Sequence, residues 1–435
     1  MTPINLQPLH QFRERVYQIF RTGRDAAFEV MDGISVSERA RSAVAVSLAP
    51  GMQRQFSSVY KGVDRLRFQP ERLQALWVEA AETHEQYQVA GYGVYVLDHT
   101  PYPRAAAPTV TDRSFVQGAD GRVVGHQYSL LGRVMHVQGA WLGVVDCQRI
   151  GTDTTPVALG AAQVAALKGH TPPPFLVLAD SEYATAALLD QVQPGQCEVL
   201  VRLRGNRVLL DAPAPRAPGQ RGRTRTHGAV FKLNDPATWR PADRTYRTEE
   251  PSGSWHDLQL WHGLHVRQRP GLSLSLLRIE HFHADGRPWF RHPLWLLWTG
   301  PTDMDWRTFW RVYLRRASVE SVNQFGKQEL AWTAARWGST EHEERWTTLV
   351  MLAYWQLLLA SPAAADRPRP WEKPTPAQRW PTPSRVQRDL PRLLGLLGTP
   401  VRPPQPRGKP RGRAIGFQPA PRTTYPVVRK RPATA

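Results

Sequence analysis

Two aspartates stand where chemistry is possible. The valine-rich run Val94–Leu97 ends at Asp98, and the apolar run Phe175–Ala179 ends at Asp180. An aspartate at the carboxyl end of a strand projects into a cleft while the sheet holds it rigid. Carboxylates held that way suit Mg²⁺, which leaves coordination positions open to substrate oxygens. Two such ions roughly 4 Å apart stabilise both the attacking and the leaving oxygen of a phosphodiester displacement. Either aspartate alone is more often a turn residue or a helix cap, so a third element has to decide. The stretch from about Asp305 to Lys327 reads as one helix carrying Tyr313, Arg316, Glu320 and Lys327. At roughly 100° per residue they fall at about 0°, 300°, 340° and 320°, on one narrow face. One carboxylate, two cations and a phenol make an unusual stripe, since a core-facing stripe is aliphatic.

The spacing Tyr313-x2-Arg316-x3-Glu320-x6-Lys327 resembles the Tyr-Arg-Glu-Lys signature of DDE insertion-sequence transposases with a β-strand insertion. The order of two aspartates, a long insertion and a glutamate strengthens the likeness, which runs from Gly91 to about Lys327. The resemblance implies an RNase H-like core and cut-and-paste DNA transposition. It makes Asp98, Asp180 and Glu320 the ligands of two Mg²⁺ ions, with Mn²⁺ able to substitute. It gives Tyr313, Arg316 and Lys327 contacts to transposon-end phosphates, where Arg binds bidentately and Lys as a point charge. It also implies a flipped base stacked on tryptophan, for which Trp289, Trp295 and Trp298 are candidates. Core packing competes for the last two, which lie on an apolar strand. The implied partners are double-stranded DNA, as terminal inverted repeats and target, and a second copy of the chain on that DNA. The rival readings are an RNase H-like nuclease without transposition and a DNA-binding derivative that has lost its chemistry.

The elements that must position these residues follow from pattern. Residues 1–88 read as helical, with Leu9, Phe12, Val16 and Phe20 at helical spacing and a set of arginines suited to DNA ends. Residues 89–204 alternate strands (Val94–Leu97, Gln127–Val137, Ala140–Cys147, Phe175–Ala179, Glu198–Arg202) with helices at Pro156–Leu167 and Tyr183–Val192, an α/β pattern. Residues 205–291 read as a β-rich insertion, with strands near Leu258–Val266 and Leu272–Phe282 and a hairpin turn at Ala284–Arg287. Residues 292–362 return to the core with a strand at Leu294–Thr299 and two helices. The second helix has Thr340 and Glu343 at capping-box spacing, so Glu341, Glu343 and Glu344 read as first-turn charges rather than metal ligands. His281 and His283 lack a third ligand nearby and read as strand positions.

Composition bounds the rest. The 435 residues carry 56 Lys+Arg against 37 Asp+Glu, a net charge of +19 that attracts polyanions. Residues 363–435 read as a basic, disordered Pro/Arg-rich tail with a short helix near Leu390–Leu397. From 361 onward the chain holds +13 of the total charge. Within it Arg407, Lys409, Arg411 and Arg413 suit a minor groove. Two isolated cysteines exclude a disulfide framework or a zinc finger. Met1–Phe20 lacks the apolar run of a secretory signal. The longest apolar stretch, Leu349–Ala360, is too short to span a bilayer and reads as a core helix. No membrane partner is expected, and the setting is the bacterial cytoplasm, on the nucleoid.

Overall fold

A computed structural model describes residues 5–84, 87–118, 121–135, 141–216, 222–376, 380–405, 408 and 412–429. Five helices come first: α1 (Gln7–Ile19), α2 (Arg24–Val36), α3 (Ala43–Val46), α4 (Phe56–Arg65) and α5 (Pro70–Thr83). Then follow β1 (Gln88–Val89), β2 (Tyr92–Pro103), β3 (Ser114–Gly118), β4 (Gly121–Val134), β5 (Leu142–Arg149), α6 (Pro156–Leu167), β6 (Phe175–Ala179), α7 (Ala186–Leu189) and β7 (Cys197–Leu203). The β-rich stretch holds β8 (Val208–Asp211), β9 (Val230–Lys232), β10 (Arg244–Glu249), β11 (Trp255–His265) and β12 (Leu274–Phe282). The chain ends with β13 (Leu294–Trp298), α8 (Trp306–Phe309), a 3₁₀ helix over Trp310–Arg316, α9 (Ala317–Gln328), α10 (Thr340–Ala360) and α11 (Pro383–Leu397). This is the mixed α/β order expected, with helices first and a β-rich insertion.

The chain divides into two compact units, one of Met1–Gln86, His99–Thr155 and Ser318–Ala435, the other of Tyr87–Asp98 and Pro156–Ala317. In the first unit, Leu9, Phe12, Val16 and Phe20 are all buried, as their spacing predicts. Helix α10 forms the centre: every residue from Leu349 to Ala360 is buried. Its one polar member there, Gln356, is satisfied by Arg13 of α1 and by Ser35 Oγ at 3.2 Å. A buried amide left unpaired would cost about 1–3 kcal/mol.

The start of α10 differs from the expected capping box. Ser339, not Thr340, is the N-cap, and its Oγ accepts from the His342 N–H at 3.3 Å. Glu343 is fully buried and meets Arg104 Nε on one oxygen and His126 Nδ1 at 2.8 Å on the other. Burial of the charge, against the Arg104 guanidinium and the His126 ring, overrides the local capping pattern. Glu341 and Glu344 pair with Arg345 and Arg149.

The proline-rich tail also departs from expectation. Its helix is longer than the 390–397 read from sequence, because Val386, Leu390 and Leu393 at i, i+4, i+7 give it an apolar face that is fully buried. Asp389 beneath it is held by Arg392 and Arg367. Past Gly398 the described residues form no helix or strand, apart from an isolated bridge between Val428 and Ser114.

In the second unit the sheet runs β2-β6-β7-β13-β12-β11-β8-β9, with β10 on β11. β2, β6 and β7 are parallel, whereas β13, β12 and β11 continue antiparallel. The insertion therefore extends the same sheet through β13, the strand on which the core resumes. The turn at Ala284–Arg287 forms as predicted, closed by His283 N–H to Arg287 O at 2.9 Å, with Gly286 at φ 84°. The helix expected over Tyr183–Val192 is reduced to the single turn of α7.

Candidate active site

The two aspartates sit side by side in the second unit. Strands β2 and β6 pair in parallel register with Leu97 opposite Ala179, so Asp98 and Asp180 are each one residue past the last pair. Asp98 is not the end of its strand, as the sequence suggested; β2 runs on to Pro103. It is the end of the stretch that β6 accompanies. Neighbouring strands lie about 4.8 Å apart, which brings the two carboxylates into one small space. Asp180 is fixed locally, since its Oδ1 accepts the Glu182 N–H at 2.9 Å in the manner of an Asx turn.

The third parallel strand adds a residue that sequence reasoning passed over. Val201 of β7 is registered with Ala179, so Arg202 occupies the position next to Asp180. Asp98, Asp180 and Arg202 thus form a row across three parallel strands. The signal was present: the predicted strand Glu198–Arg202 ends in an arginine, just as the other two end in aspartates.

The 3₁₀ segment supplies two more members. The expected single helix over 305–327 is broken into α8, a 3₁₀ run and α9. In a 3₁₀ helix residues three apart eclipse, so Tyr313 and Arg316 still share a face. Arg316 Nη1 lies 3.4 Å from Asp98 Oδ2, with side chains 22% and 15% exposed. Burial pushes the Tyr313 hydroxyl up to about 12; Asp180 acts in the same direction, while Arg316 and Arg202 oppose it. Tyr313 is therefore protonated at neutral pH, and it lies within the field of Asp180, Arg202 and Arg316. Together Asp98, Asp180, Arg202, Tyr313 and Arg316 make a half-buried group of two carboxylates, two guanidiniums and a phenol.

Glu320 and Lys327 fall in the first unit, on α9, seven residues or two turns apart and so on one face of that helix. Lys327 Nζ donates to Thr100 Oγ1 at 2.6 Å. Among the described residues no group of three or more His, Cys, Asp or Glu side chains is gathered as a metal cage.

The tryptophan candidates separate cleanly. Trp298 is fully buried, with its Nε1 donating to Pro301 O at 2.8 Å and its ring against Phe309 and Tyr92. Trp295 is 4% exposed and packs on Trp239 and Trp261. Both are core residues, which corrects their candidacy as stacking platforms: two faces of a sheet buried by aromatic neighbours leave no room for a base. Trp289 is 48% exposed, beside Phe290 at 66%, and packs against His281 and His283. Those two histidines are ring partners of this tryptophan. Of the tail cations, Arg407, Lys409 and Arg411 lie outside the described residues, and Arg413 is exposed, over the ring of Phe417.

Comparison with known proteins now bears on this geometry. Residues 148–265 match the family of DDE superfamily endonucleases. That segment contains Asp180 and Arg202 and runs through β11, and it bears out the DDE resemblance read from the residue spacing. No curated protein matches the chain. A solved piggyBac transposase synaptic complex with hairpin DNA overlays with a TM-score of 0.44 and 10% identity, covering 85% of this chain and 71% of that one. At that level nothing is carried over from one protein to the other.

Proposed function

We propose that the protein is a DNA transposase that cleaves phosphodiester bonds at insertion-sequence ends and joins the freed 3′ ends to target DNA, in the bacterial cytoplasm. The observation that carries this reading is the row Asp98–Asp180–Arg202 with Arg316 beside it. It joins hard oxygen donors to guanidiniums at one place, the combination that phosphoryl chemistry requires.

The donor set fits a divalent cation. Asp98 and Asp180 are carboxylates on rigid strands, and Mg²⁺ is commonly held by one or two carboxylates plus substrate oxygens. Asp98, Asp180 and Glu320 are the residues assigned to hold two Mg²⁺ ions, or Mn²⁺ in their place. When bound, these ions supply charge neutralisation at the scissile phosphate and a nucleophile active at neutral pH. The chain's own residues do the rest. Arg316 and Arg202 draw the phosphate in and orient it bidentately. Tyr313, protonated and buried, accepts from Arg316 and keeps its O–H proton to donate. Lys327 adds a point charge from α9. Trp289 takes the role of aromatic stacking residue for an unpaired base. Two DNA ends must meet for cut-and-paste transposition, so the working form is a dimer on DNA.

The experiment is cleavage of a labelled duplex carrying the inverted repeats that flank the gene, in Mg²⁺. Nicking at the repeat boundary, followed by joining to a supercoiled target, is the expected result. Cleavage without any joining would instead support a nuclease that does not transpose.

A further inference from the structure

We propose that the cleft between helix α4 and the amino-terminal end of α10 is a phosphate-binding site that grips the backbone of duplex DNA. The proposal rests on the transposase reading above only in taking DNA as the protein's polyanion.

The cleft lies within the first unit and measures about 310 Å³. Tyr60, Lys61 and Asp64 line it from α4; Arg336, Trp337 and His342 line it from the chain that leads into α10. Helix α4 is oriented by its other face. Val59 and Val63 are fully buried, and a Cβ at Gly62 would stand 3.1 Å from the Ala26 backbone, so α4 packs closely on α2 there. That packing leaves Tyr60 and Lys61 on the exposed side. The two walls touch through aromatic rings: Tyr60 meets Trp337 edge-on at 5.4 Å, and Trp337 in turn meets Trp346 of α10 at 5.3 Å.

This cleft offers donors that await an acceptor. Lys61 and Arg336 are exposed, and among the described residues neither pairs with a carboxylate. Trp337 is 5% exposed, and its indole N–H is buried with no acceptor among the described residues. A buried donor without an acceptor is costly, so it marks a place that a bound group completes. Gly338 also lines the cleft and directly precedes Ser339, the N-cap of α10, which puts the positive end of a 21-residue helix at the same place. The first-turn carboxylates of α10 are committed elsewhere, Glu341 to Arg345 and Glu343 to Arg104. Asp64, the carboxylate on the α4 wall, has its Oδ1 3.0 Å from His342 Nε2 and is 61% exposed. An ammonium, a guanidinium, an indole N–H and a phenol hydroxyl at a helix N-terminus suit an anion with several acceptor oxygens, a phosphate. A chain of net charge +19 draws phosphates in the form of nucleic acid. Such a site fixes the position of the backbone and reads no base.

The test is a salt titration of the full-length protein on short fluorescein-labelled duplexes, followed by anisotropy. Each neutralised phosphate contributes about 0.9 to the slope of log affinity against log salt, so Lys61→Ala with Arg336→Ala should flatten it by about 1.8. Between about 50 and 200 mM salt the wild type should then lose roughly twelve-fold more affinity than the double variant. The charge-preserving pair Lys61→Arg with Arg336→Lys should keep the wild-type slope, and an inverted-repeat duplex and an unrelated duplex should give the same flattening, because phosphates carry no sequence. Trp337→Phe should weaken duplex binding roughly ten-fold at an unchanged slope, since the lost donor is neutral. Lys61 and Arg336 are exposed, so their removal reads binding even if the Trp337 variant folds poorly. An unchanged slope in the double alanine variant overturns the proposal, and so does wild-type affinity in a folded Trp337→Phe protein. Intact cleavage with an unchanged slope sinks this site alone, whereas a flattened slope in a protein that never cleaves sinks the transposase reading alone.

Discussion

Replacing Trp298 and Trp289 separately by alanine distinguishes core from contact. Trp298 is fully buried, and its indole N–H is spent on Pro301 O. Its removal leaves a large cavity and an unpaired carbonyl, and core Trp→Ala changes cost about 3–5 kcal/mol. For a unit of this size each kcal/mol moves the melting midpoint by about 2–4 °C, so a fall of roughly 6–20 °C is expected. Trp289 is half exposed, and what it loses inside the protein is stacking on two imidazoles, about 1 kcal/mol. Stacking on an unpaired base is worth about 1–3 kcal/mol, a roughly 5- to 150-fold loss of affinity. Melting by circular dichroism, beside anisotropy on a duplex containing one unpaired base, reads both effects. Trp289→Ala should melt near the wild type and bind that duplex more weakly. If Trp298→Ala melts like the wild type and alone loses the preference for the unpaired base, the assignment is refuted.

Other outcomes follow from the same geometry. Glu343→Gln leaves Arg104 and His126 buried with a neutral partner, so stability should fall by about 3–5 kcal/mol in urea titration; a change under about 1 kcal/mol would mean the cluster is not the anchor of α10. Arg202→Ala should slow cleavage while sparing thermal stability, since its side chain is exposed; unaltered cleavage rates would remove it from the site. Burial lowers the His84 imidazole to about 4 from its ordinary 6.5, so the unfolded chain takes up a proton that the native one refuses. Stability should therefore decline as pH falls from 6.5 toward 4, and His84→Leu should flatten that decline; parallel pH profiles would contradict it. Truncation after Gly398 should reduce the salt dependence of DNA binding with little loss of stability, whereas truncation after Ala360 removes the buried face of α11 and should unfold the first unit.

Much of this was legible in sequence where local pattern and long-range packing agree. β6 and α6 appear at the predicted bounds because an apolar run or a helical composition sat between clear turn signals. The two aspartates were found because each ends an apolar run, and Tyr313 and Arg316 keep a common face despite the 3₁₀ geometry, since residues three apart lie within about 60° of each other in an α-helix and eclipse in a 3₁₀ helix. What sequence could not give depended on neighbours distant in the chain. Asp98 looked like a strand end, yet pairing with different partners along β2 decides where the carboxylate stands. Arg202 matters only once β6 and β7 are known to be in register. Trp295 and Trp298 resembled the exposed Trp289 until Trp239, Trp261 and Phe309 were seen to cover them. Glu343 matched a capping box, but Arg104 and His126, more than two hundred residues away, claim it.

We propose that Asp98 and Asp180, adjacent on parallel strands, are the heart of a phosphoryl-transfer site, to which the DDE resemblance adds Glu320. The most direct test of this proposal is the cleavage and joining of inverted-repeat DNA by Asp98→Ala, Asp180→Ala and Glu320→Ala proteins, with binding measured on the same duplex. The account predicts that each variant loses both reactions in Mg²⁺ and in Mn²⁺ while binding the duplex as tightly as the wild type or slightly more so, because negative charge near the phosphates is gone. A folded Asp98→Ala or Asp180→Ala protein that nicks the repeat boundary at near wild-type rate would contradict it.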